Sequence, residues 1–430
     1  MKGIVILRAS EYMNMFKRFK FSIADFLLSF ILIALPLSIK ATNYLLVALV
    51  AYAIFISKRQ AYRHLLSKDQ RTLLIVNIVP FLFIVLSLSY STSVHAGLKG
   101  IEKYLPLLAF PFIFSALQSR KDENFFVRLF AVIVLIMVAV CTGYALFNFF
   151  FKPAEAQLAV GDNYSQIISK WNALSNTSLM QPFAINPIYM SLYVSFALFI
   201  FSFDTKLPAS TRTIVAICLI AFQFLISSRI GLCALLISAV VYSFLFKEKV
   251  ERYYKKISVA LIAICLASLL LILYNPIVKK RLVEDLNKFE LPEDVSGWNG
   301  INIRNAIWGC SFDLFKKSPL IGYGVGSQYE AREACYQHYS FYGPFGEQLN
   351  CHNQYLEYSL IGGLVLLSLF LLQLYISFRE GFRKIDRLQI MFLMLFAITC
   401  LGESLLETHK GIILFAFFNS LFLFKRRLST

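Results

Sequence analysis

Three charged or ionisable side chains stand where an otherwise apolar chain has least use for them. Arg229 lies in Ile226-Ser227-Ser228-Arg229-Ile230-Gly231, between two apolar runs with almost no connector. A guanidinium so placed must pair, snorkel to an interface or line a wet cavity, and its rigid fork of donors also suits a phosphate. Arg304, in Asn302-Ile303-Arg304-Asn305-Ala306-Ile307-Trp308, opens what reads as an amphipathic helix and, taken alone, is a solvated charge. His352 closes a long polar segment in Cys351-His352-Asn353-Gln354. Its imidazole is either an interfacial ring or a general base able to take a proton from a hydroxyl near neutral pH. Asn353, Gln354 and Tyr355 beside it bring neutral hydrogen-bonding groups suited to sugar hydroxyls. Lys99 and Lys103 add positive charge for an anionic lipid headgroup.

Other features are weaker. Gly322, Gly324 and Gly326 alternate in Pro319-Leu320-Ile321-Gly322-Tyr323-Gly324-Val325-Gly326. This reads as a tight turn before it reads as a phosphate cradle, since the strand–loop–helix setting of a nucleotide fingerprint is missing. Glu403 and Glu407 would share a face if helical, with Lys410 nearby as an ion-pair partner. His338 and His409 have no Cys, Asp or Glu at metal spacing, and no CxxC occurs, so neither a metal site nor a cofactor is expected. Of eight cysteines, Cys310, Cys335 and Cys351 fall in the long polar segment; in an oxidising compartment two would pair and one remain.

These residues must be carried by membrane helices. The chain has 430 residues, 58% hydrophobic and 16% charged, with a mean hydropathy of +0.65. Apolar runs recur at the length needed to cross about 30 Å of hydrocarbon as helix, and they are continuous rather than alternating, which disfavours a barrel. The expected fold is an all-α polytopic membrane protein of about 12 transmembrane helices. The spans fall at 22–39, 41–57, 72–90, 104–118, 125–150, 187–203, 212–227, 230–246, 257–274, 354–378, 388–402 and 411–424. Nine crossings occupy residues 1–274, a large, partly helical periplasmic loop 275–353, and three more crossings 354–430. Pro36, Pro80, Pro106 and Pro111 mark kinks. The net charge of +17 lies in short connectors on the side of the amino terminus, as topogenic charge does. That makes both termini cytoplasmic, places the long loop outside, and argues against nucleic acid as a partner.

Taken in order, Ser227-Ser228-Arg229, Arg304 with Trp308, the Pro319–Gly326 run and His352-Asn353-Gln354-Tyr355-Leu356-Glu357 resemble the O-antigen ligase family of bacterial envelope glycosyltransferases, which includes related polymerases. Asn186-Pro187-Ile188-Tyr189 and the Glu403–Gly411 stretch are also similar to that family. The resemblance implies a multi-pass protein of the inner membrane that transfers a glycan from undecaprenyl diphosphate to a sugar of a lipid A-core acceptor. It assigns Arg229 and Arg304 to the diphosphate, His352 to the acceptor hydroxyl, and Tyr189 to substrate contact. In the ligase signature a His-Asn pair is followed by a glycine and then a small or tyrosyl residue. Gly363 fits that spacing and Leu366 does not. The implied reaction is a one-step, inverting, metal-independent transfer in which arginines neutralise the leaving group.

Two rivals differ in product or class. A polymerase on the same carrier often has an arginine followed after ten residues by glycine, whereas Arg304 is followed there by Phe315 and Arg229 by Val240. A transporter would show paired ionisable residues or broken helices in repeated halves, and few mid-span charges are present.

Overall fold

The computed structural model describes residues 22–59, 67–116, 122–151, 174–246, 298 and 300–424. The expected ninth span, 257–274, and the first part of the loop lie outside them. Every regular element among the described residues is helical. Chain order gives α1 (Ile23–Leu37), α2 (Ile39–Arg59), α3 (Lys68–Ser87, extended by a 3-10 turn to Tyr90), α4 (Val94–Tyr104), α5 (Pro106–Ala116), α6 (Glu123–Phe151), α7 (Pro187–Phe203), α8 (Ala209–Ile226) and α9 (Arg229–Leu245). Then come α10 (Gly300–Lys317), α11 (Ser327–His338), α12 (Gln354–Lys384), α13 (Arg387–Thr399) and α14 (His409–Phe424).

Local sequence explains where these helices begin. Ser22 with Asp25, and Ser67 with Gln70, form reciprocal capping boxes, satisfying amide donors that the first turn leaves open. Asn186 caps α7 with Pro187 in its first turn, and Ser228 caps α9. Pro36, Pro80 and Pro111 lie inside α1, α3 and α5, where neighbouring helices make an interior proline tolerable. Pro106 instead opens apolar α5, which carries the expected fourth span, and separates it from the amphipathic α4 before it.

Among the described residues five helices are long and apolar enough to cross a membrane: Ile39–Ser57, Lys68–Tyr90, Glu123–Phe151, Ala209–Ile226 and Gln354–Lys384. Five shorter apolar helices, α1, α7, α9, α13 and α14, pack among them. Their interior is rich in phenylalanine. Phe130 meets Phe418, and Phe196 meets Phe392, each with ring centroids 5.0 Å apart. A buried amide cluster ties three of the helices. Asn77 of α3 accepts from Asn419 of α14 at 2.7 Å and from Gln373 of α12 at 3.1 Å, the kind of polar contact that fixes helix register in lipid.

The tenth expected span, 354–378, is interrupted. Gly362 (φ −137°, ψ 20°) and Gly363 (φ 58°, ψ −154°) leave helical geometry within α12. In a straight helix Tyr355 and Phe370 would stand about 22 Å apart, yet their ring centroids are 5.9 Å apart, and those of Tyr358 and Phe370 5.1 Å. The segment before the break therefore folds back over the segment after it. From Gly363 to Lys384 the second part is about 33 Å long, enough to cross a hydrocarbon core alone.

Backbone groups freed at the break are taken up by the glycine run. Tyr323 N donates to Leu360 O and Gly324 N to Ile361 O; Leu364 N donates to Pro319 O and Val365 N to Leu320 O. The 319–326 segment is thus a strap across the break. Its glycines have φ of 65°, 85° and 96°, and a Cβ on Gly322 would sit 2.4 Å from Leu360 O. Since Tyr323, Gly324 and Val325 all spend their amides on protein partners, the run is a turn and not a phosphate cradle. The break is the sort of feature a transporter would show, but no other described helix carries non-helical residues inside it, so the repeated halves of a transporter are missing among the described residues.

Helices α10 and α11 form a small second core with the start of α12, built on Ile307, Cys310, Leu314, Tyr336, Cys351 and Leu360. A disulfide, Cys310–Cys335, staples the two helices, with Cα atoms 5.8 Å apart. Cys351 keeps its thiol.

Candidate active site

His352 stands at the mouth of the folded-back segment, and its position is set by the residues on either side. Asn353 caps α12, accepting from the amides of Tyr355 and Leu356. Cys351 is held on all sides: its amide donates to Glu357 at 2.7 Å, its carbonyl accepts from the Trp308 indole at 2.8 Å, and its sulfur lies 3.3 Å from Ser311. Between these two anchors His352 is forced to a left-handed φ of 46°, a conformation a histidine keeps only when its surroundings over-determine it.

The strongest of those surroundings is a buried ion pair. Arg332 of α11 reaches Glu357 of α12 at 3.1 Å, with side chains 1% and 0% exposed. Arg332 also donates to Leu349 O and lies over the ring of Tyr329 at 4.7 Å. Burial alone would weaken the Arg332 charge, but Glu357 together with Cys351, Tyr336 and Tyr329 more than offsets it, so the guanidinium is held well above its ordinary range. Burial also pushes the Cys351 thiol well up. That pair locks the outer helices to the histidine-bearing turn.

The imidazole points at Glu403. Nδ1 of His352 is 3.2 Å from the carboxylate, whose side chain is 4% exposed against 24% for the histidine. With the Nδ1 proton donated to Glu403, Nε2 is left as the acceptor, which is the tautomer a base requires. Glu403 was expected to share a helical face with Glu407 and pair with Lys410. The stretch is instead an irregular turn followed by a 3-10 helix at Leu405–Glu407. There Glu407 takes Lys103 at 2.6 Å, the Tyr104 hydroxyl and the Tyr329 hydroxyl, while Lys410 donates to the carbonyls of Pro36 and Phe183.

Arg304 comes to this carboxylate, and Arg229 comes to Arg304. Burial lowers the pKa of Arg304 from its ordinary value; the Glu403 charge opposes that and the Arg229 charge adds to it. Arg304 therefore sits within electrostatic reach of both Glu403 and Arg229, although the three are carried by α10, the turn after α13 and the start of α9. Gly402 explains part of the approach, because a Cβ there would meet Ile230, next to Arg229, at 2.9 Å. Two half-buried guanidinium groups that repel each other are a poor arrangement by themselves and a good one around a dianion.

The remaining expected contacts divide. Tyr189 is buried, takes a hydrogen bond from Thr408 at 2.8 Å and lies within reach of the Glu403 charge. Lys103 is engaged with Glu407. Asn353 spends its side chain on the cap and on Leu401 O, Gln354 is buried and accepts from the Leu406 amide, and Tyr355 donates to Ala397 O. As placed, these three hold the turn together. Glu403, Arg332 and Glu357 are the participants that residue types alone did not single out for this site.

Among the described residues the fold is all-helical, with several helices apolar enough to cross a membrane, as in a multi-pass membrane protein. Residues 214–371 match the family described as O-Antigen ligase, a stretch that carries Arg229, Arg304 and His352. Over that stretch, less than half of its length, the chain is similar to the O-antigen ligase family. No curated protein matches the chain.

Proposed function

We propose that this protein is an O-antigen ligase, transferring a glycan from undecaprenyl diphosphate to a hydroxyl of a lipid A-core acceptor at the periplasmic face of the inner membrane. Arg229 and Arg304 neutralise the diphosphate as the glycosidic bond to it breaks. His352, oriented by Glu403, removes the proton of the attacking hydroxyl. Direct displacement inverts the anomeric carbon, and the proton leaves through Nε2. Positive charge at the leaving group comes from the arginines. Sidedness is supported by the Cys310–Cys335 disulfide, which suits an oxidising compartment. It is supported too by the basic residues Arg379, Arg383, Lys384 and Arg387 at the far end of α12 and the start of α13.

The observation that carries this reading is the meeting of Arg229, Arg304 and the His352–Glu403 pair. Reconstituted protein given lipid-linked glycan and lipid A-core should move glycan onto the core, and His352→Ala should not. A longer glycan left on the carrier would identify a polymerase instead. Full transfer by an inserted His352→Ala protein would remove the base assignment.

A further inference from the structure

Between the last turns of α10 and α11 lies a cavity of about 440 Å³ that none of the residues assigned to the transfer lines, bounded in part by Asp313, Lys316, Lys317, His338 and Tyr339. Its depth relative to the membrane can be read from the strap. The strap is hydrogen-bonded to Leu364 and Val365, the first residues of the 33 Å segment of α12. It also accepts from Tyr90, the last residue of the α3 crossing, at Ile321 O. Two crossings thus end at one level. At that level Leu320 and Ile321 are 64% and 48% exposed, beside exposed Leu364 and Val365, and Phe312 on α10 is 50% exposed. Such an apolar edge, joined to a spanning helix, is covered by the lipid of the same leaflet. The cavity adjoins it along α10, where Phe312 and Lys316 share a helix face.

The lining is specific in its chemistry. Lys316 and Lys317 against Asp313 leave a net positive charge, suited to phosphate. The Tyr339 hydroxyl donates to Asp313 at 3.1 Å and Lys316 reaches it at 3.3 Å. The Tyr339 hydroxyl first, and Lys316 after it, hold the Asp313 carboxyl below its usual range. An ionised carboxylate in a phosphate site is useful only if the ligand also brings hydroxyl donors. The Tyr339 ring, stacked on Phe341 with centroids 5.4 Å apart, offers a flat apolar face to a sugar ring. Two lysines in a last helical turn also offset the carbonyl end of α10, which accounts for the charges but not for the acid and the aromatic face beside them. Along α10, Lys316 lies about 18 Å from Arg304, so the cavity is separate from the diphosphate clamp.

We propose that this cavity binds the phosphorylated saccharide headgroup of a glycolipid in the adjoining leaflet, holding a membrane-anchored acceptor while its hydroxyl is presented to His352. The proposal rests on the reading of the chain as a transferase to such an acceptor. Its test is binding, measured by native mass spectrometry of protein in nanodiscs, with a bis-phosphorylated lipid A-type glycolipid, its dephosphorylated form and phosphatidylglycerol as probes. The phosphorylated glycolipid should bind best, in wild type and in His352→Ala alike. The Lys316→Gln/Lys317→Gln variant should weaken it roughly tenfold, and Tyr339→Phe should do so less. Both lysines are exposed, so the variant keeps its fold. Unchanged binding in the double variant, equal binding of the dephosphorylated glycolipid, or equal binding of phosphatidylglycerol would each overturn the assignment. In transfer assays the double variant should raise the KM for acceptor and leave kcat in place. An unchanged KM removes the cavity and keeps the reaction, whereas binding without transfer by wild type keeps the cavity and removes the reaction.

Discussion

Glu403 and His352, fifty-one residues apart in sequence, meet at 3.2 Å, carboxylate to Nδ1, so that the other ring nitrogen is the one left to act. The carboxylate belongs to an irregular turn after α13 and the histidine to the turn before α12, and the two turns are laced together. Asn353 N donates to Ser404 Oγ at 3.1 Å and Gln354 N to Cys400 O at 2.9 Å.

Replacing Glu403 by Gln keeps the shape of the contact and removes the charge that stabilises imidazolium. General-base catalysis contributes about 10²–10⁴-fold. We expect transfer to fall by about 10²-fold in kcat for Glu403→Gln, with unchanged insertion and donor binding. Steady-state kinetics on reconstituted protein reads this; a change confined to KM would mean that Glu403 does not act through His352.

Arg229 and Arg304 should behave as one device. Each single change to Gln should weaken donor binding by roughly tenfold or more, the worth of a charge-assisted hydrogen bond. The double change should cost less than the product of the two, because removing either cation relieves the repulsion between them. Donor titration of the four proteins measures the coupling. Strict additivity would place the two arginines on different ligands.

The Arg332–Glu357 pair is fully buried, so breaking it strands a charge. Arg332→Met should destabilise the protein by about 3–5 kcal/mol, seen as a lower thermal midpoint in detergent. Glu357→Leu on top of it should recover much of that loss. Activity should stay low in both: the single change removes the donor to Leu349 O and Glu357, the double change also removes the acceptor of the Cys351 amide, and either way the turn at His352 loses its shape. Recovery of stability and activity together would show that the pair does no positioning.

Gly363 combines φ 58° with ψ −154°, a region open to glycine almost alone, and a Cβ there would fall 2.2 Å from the carbonyl of Leu320. Gly363→Ala should therefore cost at least about 1–3 kcal/mol and dislodge the strap. Protease sensitivity at 319–326 is the readout, and a silent substitution would contradict the folded-back geometry.

The three outer cysteines divide into a pair and a single. Cys310 and Cys335 close a loop of sequence separation 25, worth about 3 kcal/mol of stability in the chain-entropy account. Reduction should lower the thermal midpoint accordingly. Cys351 is 0% exposed and burial pushes its thiol pKa well up. It should resist maleimide at neutral pH until the protein is denatured. Labelling of native protein at Cys351 would contradict its place in the core.

The helical, multi-pass character was readable in the sequence because hydrocarbon imposes one local rule, continuous apolar runs of sufficient length, and composition alone satisfies or breaks it. Arg229, Arg304 and His352 stood out for a related reason, since charge next to such runs must be explained. Helix starts at Ser22, Ser67, Asn186 and Ser228 follow from caps whose partners lie within three residues. What sequence did not disclose depends on partners far apart in the chain. The Gly362–Gly363 break was hidden inside an unbroken apolar run, and it is decided by the strap that accepts and donates there. Glu403 looked like half of a helical carboxylate pair, but its neighbour in space is a histidine from another turn. Gln354 and Tyr355 read as sugar ligands by residue type, whereas the tertiary packing sets Gln354 Oε1 on the Leu406 amide and the Tyr355 hydroxyl on Ala397 O. Burial and electrostatics act through distance in space, and only the folded chain sets those distances.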